Sequence, residues 1–325
     1  MTGPSGPGPD ASRGDTVLVT GASGFVGREL MSSLRAGSYR VVGASRSPSA
    51  QALQGGLAVL LPPPTEIGDA AFEALMTGVT HVVHLAGIAH TRLPVSESAG
   101  AYRAANFLLT ERLVRAAAKT IPGKFVFLSS IRAQCGAVLD GVARETDTPL
   151  PTDDYGRSKL EAERAVAAVL THGRYTILRP VLVYGPGVRG NMGSLASLAR
   201  LPVPLPFAGL SARRSLVSRT SLCEAVLHCL RQASTDRGTY VVADRQPVTP
   251  PQIVAALRAG LGRSPGLFAL PPVLLGIAAA AAGQKSRFET LEQDLVASSA
   301  SLEATGWTAV PDTVASLADT MRRTG

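Results

Sequence analysis

Asp15-Thr16-Val17-Leu18-Val19-Thr20 runs directly into Gly21-Ala22-Ser23-Gly24-Phe25-Val26-Gly27. A β-rich apolar run that ends on three spaced glycines, and then turns amphipathic from Phe25 to about Arg35, leaves few folds open. Gly21 suits a tight turn, Gly24 lets a phosphate approach the backbone, and Gly27 lets a helix pack closely on a strand. The helix that follows offers unpaired amides and the positive end of its dipole to an anion. A lone Gly-rich turn is weak evidence, but this one stands at the first strand–helix junction.

The alternation repeats downstream. Apolar runs occur at Tyr39 to Ala44, Leu57 to Leu61, His81 to Ala86, Lys124 to Ser129 and Tyr175 to Pro180. Helical patterns separate them, the longest from about Ala99 to Lys119. The succession predicts an α/β fold, a Rossmann-type doubly wound parallel sheet. After Pro180, glycine and proline become frequent and helical patterns dominate. That predicts a smaller, mainly helical C-terminal substrate lobe over the carboxyl edge of the sheet, where ligands bind in such folds. The expected organisation is a disordered tail at 1–14 and a dinucleotide-binding domain at 15–185, with return elements near 215–243. The substrate lobe takes 186–214 and 244–325.

At 325 residues the chain can bury a sizeable core. Its net charge of +8 suits a soluble basic surface, with a field that attracts anionic substrates and phosphates as the sharper alternative. No Lys/Arg run with interleaved aromatics is present, which argues against a nucleic-acid partner. Cys135, Cys223 and Cys229 are too few and too scattered for a disulfide framework or a zinc site. Reduced thiols in a cytoplasm are expected, and the N-terminus lacks the apolar core of a signal peptide. Gly266 to Gly283 is almost wholly apolar, yet Pro271-Pro272 splits it and leaves less than the roughly 20 residues a membrane span needs. A packed helix of the C-terminal lobe is expected there, with shallow membrane contact as the alternative.

Two features carry chemistry. Tyr155 and Lys159 stand four residues apart, which on a helix puts a phenol and an ammonium on one face. A phenol has an unperturbed pKa of about 10, and a neighbouring ammonium lowers it, so the pair can exchange a proton with a carbinol oxygen near neutral pH. At the end of the second apolar run stands Gly43-Ala44-Ser45-Arg46, with no carboxylate for a ribose 2′-hydroxyl. Ser45 and Arg46 suit a 2′-phosphate instead, which favours NADP(H) over NAD(H).

The ordered motifs resemble the extended short-chain dehydrogenase/reductase superfamily, in its NAD-dependent epimerase/dehydratase branch that acts on nucleotide sugars. They are TGASGFVG at Thr20 to Gly27, HLAG at His84 to Gly87, Asn106 with Thr110, and the pair Ser129-Ser130. YGRSK at Tyr155 to Lys159, LRPVLVYGPG at Leu178 to Gly187, and a late Gly306-Trp307 follow. The resemblance implies that Tyr155 is the catalytic acid/base. Lys159 binds the nicotinamide ribose and depresses the Tyr155 pKa, Ser130 bonds the reacting oxygen, and Asn106 stands near them. It implies cofactor contacts at Gly21, Ser23, Gly24, Phe25, Val26, Gly27, Leu85, Ala86, Gly87, Pro180 and Val181, beside Ser45 and Arg46. Arg214 matches an arginine that clamps the substrate pyrophosphate, a task suited to its planar fork. Asn191 matches an amide on the nucleotide side. The resemblance also implies a homodimer, through a four-helix bundle built from Ala99 to Lys119 and Tyr155 to Leu170.

Departures narrow the reaction. Ile131 and Arg132 follow Ser130 where dehydratases carry an acidic pair, so 4,6-dehydration is not expected. Ala133-Gln134-Cys135-Gly136 replaces the Val-Tyr-Gly usual in epimerases, and Ser215 and Ser221 stand where relatives usually show aspartates. The expectation is a UDP-4-keto-6-deoxy-N-acetylhexosamine 4-ketoreductase of polysaccharide precursor synthesis. A UDP-glucose 4-epimerase-like isomerase and a hydroxysteroid or flavonoid-type ketoreductase are the alternatives. A non-catalytic dinucleotide sensor fits poorly, because such relatives usually lose the Tyr or the Lys.

Overall fold

The structure is a computed structural model, and it describes residues 14–46, 57–61, 63, 68–89, 94–281, 283 and 285–322. The expected tail at 1–14 lies outside the described residues apart from Gly14. The chain opens with β1 (Thr16–Thr20), α1 (Phe25–Ala36), β2 (Arg40–Ser45), β3 (Leu57–Leu60), α2 (Asp69–Leu75) and β4 (His81–His84). Next come α3 (Val95–Tyr102), a π-helical stretch (Arg103–Leu108), α4 (Leu109–Thr120), β5 (Lys124–Leu128) and α5 (Ile131–Gln134). Then follow β6 (Val142–Ala143), α6 (Asp154–Val169), β7 (Arg174–Pro180), β8 (Leu182–Tyr184), α7 (Gly190–Arg200), β9 (Leu216–Ser218) and α8 (Arg219–Arg231). The chain closes with β10 (Gly238–Val242), α9 (Pro250–Gly260), α10 (Pro272–Ala281), α11 (Lys285–Leu291), β11 (Val296–Ala297), α12 (Ala300–Glu303) and α13 (Thr313–Arg322).

The central sheet has seven strands in the order β10-β7-β5-β4-β1-β2-β3. This is the doubly wound architecture that the alternating pattern predicts. Val17, Leu18, Val19, Val82, Val83, Phe125, Val126 and Phe127 are all fully buried. Such continuous apolar runs belong to parallel strands covered on both faces. β1 pairs in parallel with β2 on one side and β4 on the other, and Thr20 stands opposite Ala44 and His84. Strands therefore leave β1 in both directions, and its carboxyl end is a topological switch point.

Two compact units make up the chain. The first holds residues 1–128, 162–176 and 226–238, and the second holds 129–161, 177–225 and 239–325. In the first, Lys124 opens β5 with a fully buried ammonium. Its Nζ donates to the carbonyls of Cys229 (2.6 Å) and Gln232 (2.8 Å) and to Thr235 Oγ1 (3.0 Å), and pairs with Asp236. Burial lowers its pKa, and Asp236 opposes that shift. In the second unit, Tyr184, Met192, Leu195, Leu216, Ile253, Leu257, Leu317 and Met321 form a core under α7, α9 and α13. Local chemistry starts α9: Thr249 and Gln252 make a capping box around Pro250 at the first helical turn.

Candidate functional site

The carboxyl end of β1 gathers the predicted dinucleotide residues of the first unit. Gly21 has φ +72°, and a Cβ there would stand 2.8 Å from the Ala86 nitrogen. A Cβ on Gly27 would lie 2.3 Å from the Gly21 carbonyl oxygen. Glycine is therefore required at both positions, the first for its conformation and its neighbour, the second for helix packing. Gly21 N–H donates to the Ala44 carbonyl (2.9 Å), and Leu85 N–H donates to that of Thr20 (3.1 Å). The turn after β1, the end of β2 and the start of the HLAG segment thus form one cluster. Gly24 is the exposed N-cap of α1, and no side chain caps that end. Ser23, Phe25 and Val26 line the same turn, half-buried.

Ser45 closes β2 at 4% exposure, and its hydroxyl has no hydrogen-bond partner among the described residues. A buried hydroxyl without a partner is costly unless something bonds it. Arg46, next to it, is exposed. An uncapped helix end, a glycine-only turn and a waiting hydroxyl fit a dinucleotide.

The segment after β4 is held from behind. Asn106 is fully buried, and its side chain accepts from Ile88 N–H (2.9 Å) and donates to the Ile88 carbonyl (3.1 Å). Those two bonds fix the backbone that follows Leu85-Ala86-Gly87. The residue lies in the π-helical stretch, a wider turn that often marks functional sites. Beneath it, His84 bonds Thr20 Oγ1 (2.6 Å) through Nδ1 and Thr110 Oγ1 (2.9 Å) through Nε2, and it stacks on Phe127. Ala86 N–H donates to Thr20 Oγ1 at 3.3 Å. HLAG and Asn106-x-x-x-Thr110 are thus parts of one buried network.

The second unit holds the residues expected to carry acid–base chemistry, Ser130, Tyr155 and Lys159. Ser130 N-caps α5, its hydroxyl accepting from Arg132 N–H at 3.2 Å. Tyr155 stands half-buried in the first turn of α6, and Lys159 lies one turn on at 4% exposure. Asp153 couples the two segments. Its Oδ1 accepts from Gly156 N–H (2.7 Å), the N-cap bond of α6, and its Oδ2 pairs with the Arg132 guanidinium. Between them sits Gly156, where a Cβ would be 2.2 Å from the Arg132 carbonyl oxygen. The start of the Tyr155 helix therefore touches the Ser130–Arg132 backbone, with no room for a side chain.

Gly156 and Asp153 received no role from the sequence alone. The N-cap rule offers a signal for Asp153, since an acidic residue immediately precedes a helix start. Gly156 gives no such signal, because its neighbour comes from a separate segment of chain.

The other predicted residues lie as follows. Pro180 ends β7 and Val181 follows it, both buried, with Val181 N–H donating to the Val242 carbonyl (3.1 Å). Asn191 is exposed in the first turn of α7. Arg214 is 8% exposed, and its fork donates to the carbonyls of Ala137 (2.7 Å), Gln293 (2.9 Å) and Thr290. Burial lowers its pKa first, the nearby charge of Arg132 lowers it further, and Asp294 opposes both. Arg179, also buried, pairs with the Gln134 side chain. Below this region Tyr184 donates a 2.7 Å hydrogen bond to the buried Asp244. Burial pushes the Asp244 carboxyl up to about 6. Among the described residues no group of His, Cys, Asp and Glu could hold a metal ion.

A family model described as the NAD dependent epimerase/dehydratase family matches residues 17–243. The UDP-glucose 4-epimerase of Vibrio cholerae is 33% identical over 257 residues, covering 76% of this chain and 76% of that protein. The dTDP-6-deoxy-L-talose 4-dehydrogenase (NAD(P)(+)) of Kitasatospora kifunensis is 29% identical over 222 residues, covering 65% of this chain and 68% of its own length. Among solved structures, MoeE5 in complex with UDP-glucose and NAD superposes with a TM-score of 0.73. At 24% identity, over 95% of this chain and 97% of that one, it shows a shared fold. The chain belongs to the NAD-dependent epimerase/dehydratase family, as a nucleotide-sugar enzyme of the extended short-chain dehydrogenase/reductase type.

Proposed function

We propose that this family member reduces the C4 ketone of a nucleotide-linked 4-keto-6-deoxy-N-acetylhexosamine, drawing on NADPH in preference to NADH. The observation that carries the cofactor and the direction is the end of β2, where Ser45 holds a buried hydroxyl without a partner among the described residues and Arg46 is exposed, with no carboxylate beside them in the sequence. A reductase must release its spent cofactor, and cells often run reductions from NADPH.

The proposed roles follow from the residues. Gly21 to Gly27 and the uncapped end of α1 hold the pyrophosphate. Leu85 to Gly87, kept in place by Asn106, line the nicotinamide half, and Pro180 and Val181 keep the cofactor role that the motif resemblance implies. The bound nicotinamide supplies the hydride. Tyr155 gives its phenolic proton to the carbonyl oxygen as that oxygen becomes a carbinol, and Ser130 bonds the oxygen as charge grows on it. Lys159 lowers the cost of the phenolate left behind. Asn191 takes the nucleotide side of the substrate, and Arg214 meets its diphosphate through the N–H groups beyond those that hold the carbonyls of Ala137, Thr290 and Gln293. Dimerisation through the helices of Ala99 to Lys119 and Tyr155 to Leu170 completes the reading.

The test is incubation with UDP-4-keto-6-deoxy-GlcNAc and either NADPH or NADH. Loss of absorbance at the reduced-nicotinamide band is expected, faster with NADPH, and silent for Tyr155→Phe. A second reading, UDP-sugar 4-epimerase, is favoured by the relative from Vibrio cholerae. If NAD stays bound through purification and UDP-glucose and UDP-galactose interconvert without added cofactor, the epimerase replaces the reductase.

A further inference from the structure

We propose that the outer face of α10, with the chain leading into it, docks this protein on the surface of an anionic lipid bilayer. A surface helix of a soluble domain turns a polar face to water. α10 has no such face, since its sequence is Pro-Val-Leu-Leu-Gly-Ile followed by four alanines. Its inner side packs, with Leu275 at 7% exposure against Leu210 and Phe288. Its outer side is bare: Val273 is 73%, Leu274 50% and Ile277 62% exposed. Together with Ala280 and Ala281 these residues fall on one helical stripe.

Exposed apolar side chains also occur in the chain that leads into the helix. Phe268, four residues before α10, is 46% exposed. Its N–H donates to the Leu205 carbonyl, and Leu205 N–H donates to that of Gly266, so the segments around 201–210 and 265–270 run side by side. Arg258 fastens them through the carbonyls of Leu201, Val203, Pro265 and Gly266. Leu201 and Val203 are themselves 45% and 51% exposed.

Charge identifies the occupant. No Asp or Glu occurs between Arg164 and Cys223, or between Arg245 and Phe288. Both stretches do carry exposed cations at this region. The Arg263 guanidinium donates to the Arg200 carbonyl, and Lys285 opens α11 just beyond α10. The carboxylate that meets Lys285 is Glu289, at 3.8 Å and itself exposed. An apolar stripe flanked by cations and poor in carboxylates matches the acyl boundary and anionic headgroups of a bilayer. A second copy of the chain would bring the same cations face to face, which opposes self-association through this surface. The helix has 10 residues and lies on a membrane without crossing it. Among the described residues no helix is long and apolar enough to span one.

The test is co-sedimentation of the full chain with vesicles of phosphatidylcholine alone and of phosphatidylcholine mixed with phosphatidylglycerol. Wild type should partition about tenfold more strongly onto the anionic vesicles, and high salt should weaken that binding. The double variant Leu274→Glu/Ile277→Glu should lose about tenfold in binding. It should keep its melting temperature, because both side chains are exposed. Three results overturn the proposal: wild type that ignores anionic vesicles, a folded double variant that binds like wild type, and light scattering that shows a dimer abolished by the double variant in a protein that binds no vesicles.

Discussion

Replacing Gly156 by alanine tests whether the contact between the Tyr155 helix and the Ser130 segment sets the catalytic geometry. The added methyl would stand 2.2 Å from the Arg132 carbonyl oxygen, and 3.0 Å from both the Arg132 carbonyl carbon and Pro151 Cβ. All three neighbours are backbone or proline ring, so no flexible side chain can swing away. Restoring ordinary van der Waals separation requires the first turn of α6 to move by about 1 Å. The move pulls on the Asp153 cap and its link to Arg132, and it carries Tyr155 away from Ser130. A misplacement of about 1 Å between reacting groups costs roughly a hundredfold in rate. The strain itself should cost about 1–3 kcal/mol of stability. Single-turnover rates with saturating cofactor, beside chemical denaturation, separate the two effects. The variant should stay folded, hold its cofactor KM, and lose kcat by about two orders of magnitude. A folded Gly156→Ala protein with kcat within about twofold of wild type would refute the reasoning, because the contact would then not govern Tyr155.

Further outcomes follow from single groups. Lys124→Met should destabilise the chain by about 3 kcal/mol in urea denaturation, since it strips the Asp236 carboxylate and three other acceptors of a buried partner. It should leave KM unchanged, as Lys124 opens β5 at the end opposite the glycine turn; a loss of activity without a loss of stability would contradict this placement. The Asp244 carboxyl is raised from 3.8 to about 6, so the native state favours its protonated form. Its contribution to stability is fully present below about pH 4 and is lost as pH rises through about 6. Asp244→Asn should therefore match wild type near pH 4 and exceed it by on the order of 3 kcal/mol above pH 7. Parallel melting profiles for the two proteins across that range would rule the effect out. Arg46→Ala should raise the KM for NADPH several-fold while leaving that for NADH unchanged, read in the same ketoreduction assay; equal effects on both cofactors would remove Arg46 from 2′-phosphate recognition.

Much of the fold could be read before the structure. The strands expected at Tyr39 to Ala44, Leu57 to Leu61 and Tyr175 to Pro180 lie within a residue of Arg40–Ser45, Leu57–Leu60 and Arg174–Pro180. Buried parallel strands announce themselves as apolar runs, and that signal is local. The short helix Asp69–Leu75 did not stand out, because two turns give too few residues to establish a period. The long helical pattern after Ala99 gave no hint of the π-helical turn at Arg103–Leu108, since one widened turn barely disturbs a periodicity of 3.6.

The sequence by itself determined that a glycine turn closes the first strand, that a phenol and an ammonium share one face of a helix, and that no carboxylate ends the second strand. Each depends on neighbours within a few positions, so the order of residues is enough. Tertiary structure decided what those residues meet. It committed both ends of the Asn106 amide to Ile88 and the Arg214 fork to carbonyls near 137, 290 and 293. It set Gly156 against Arg132, and it packed one face of the apolar α10 while leaving the other bare. Those partners lie up to 79 residues away along the chain, and only packing brings them together.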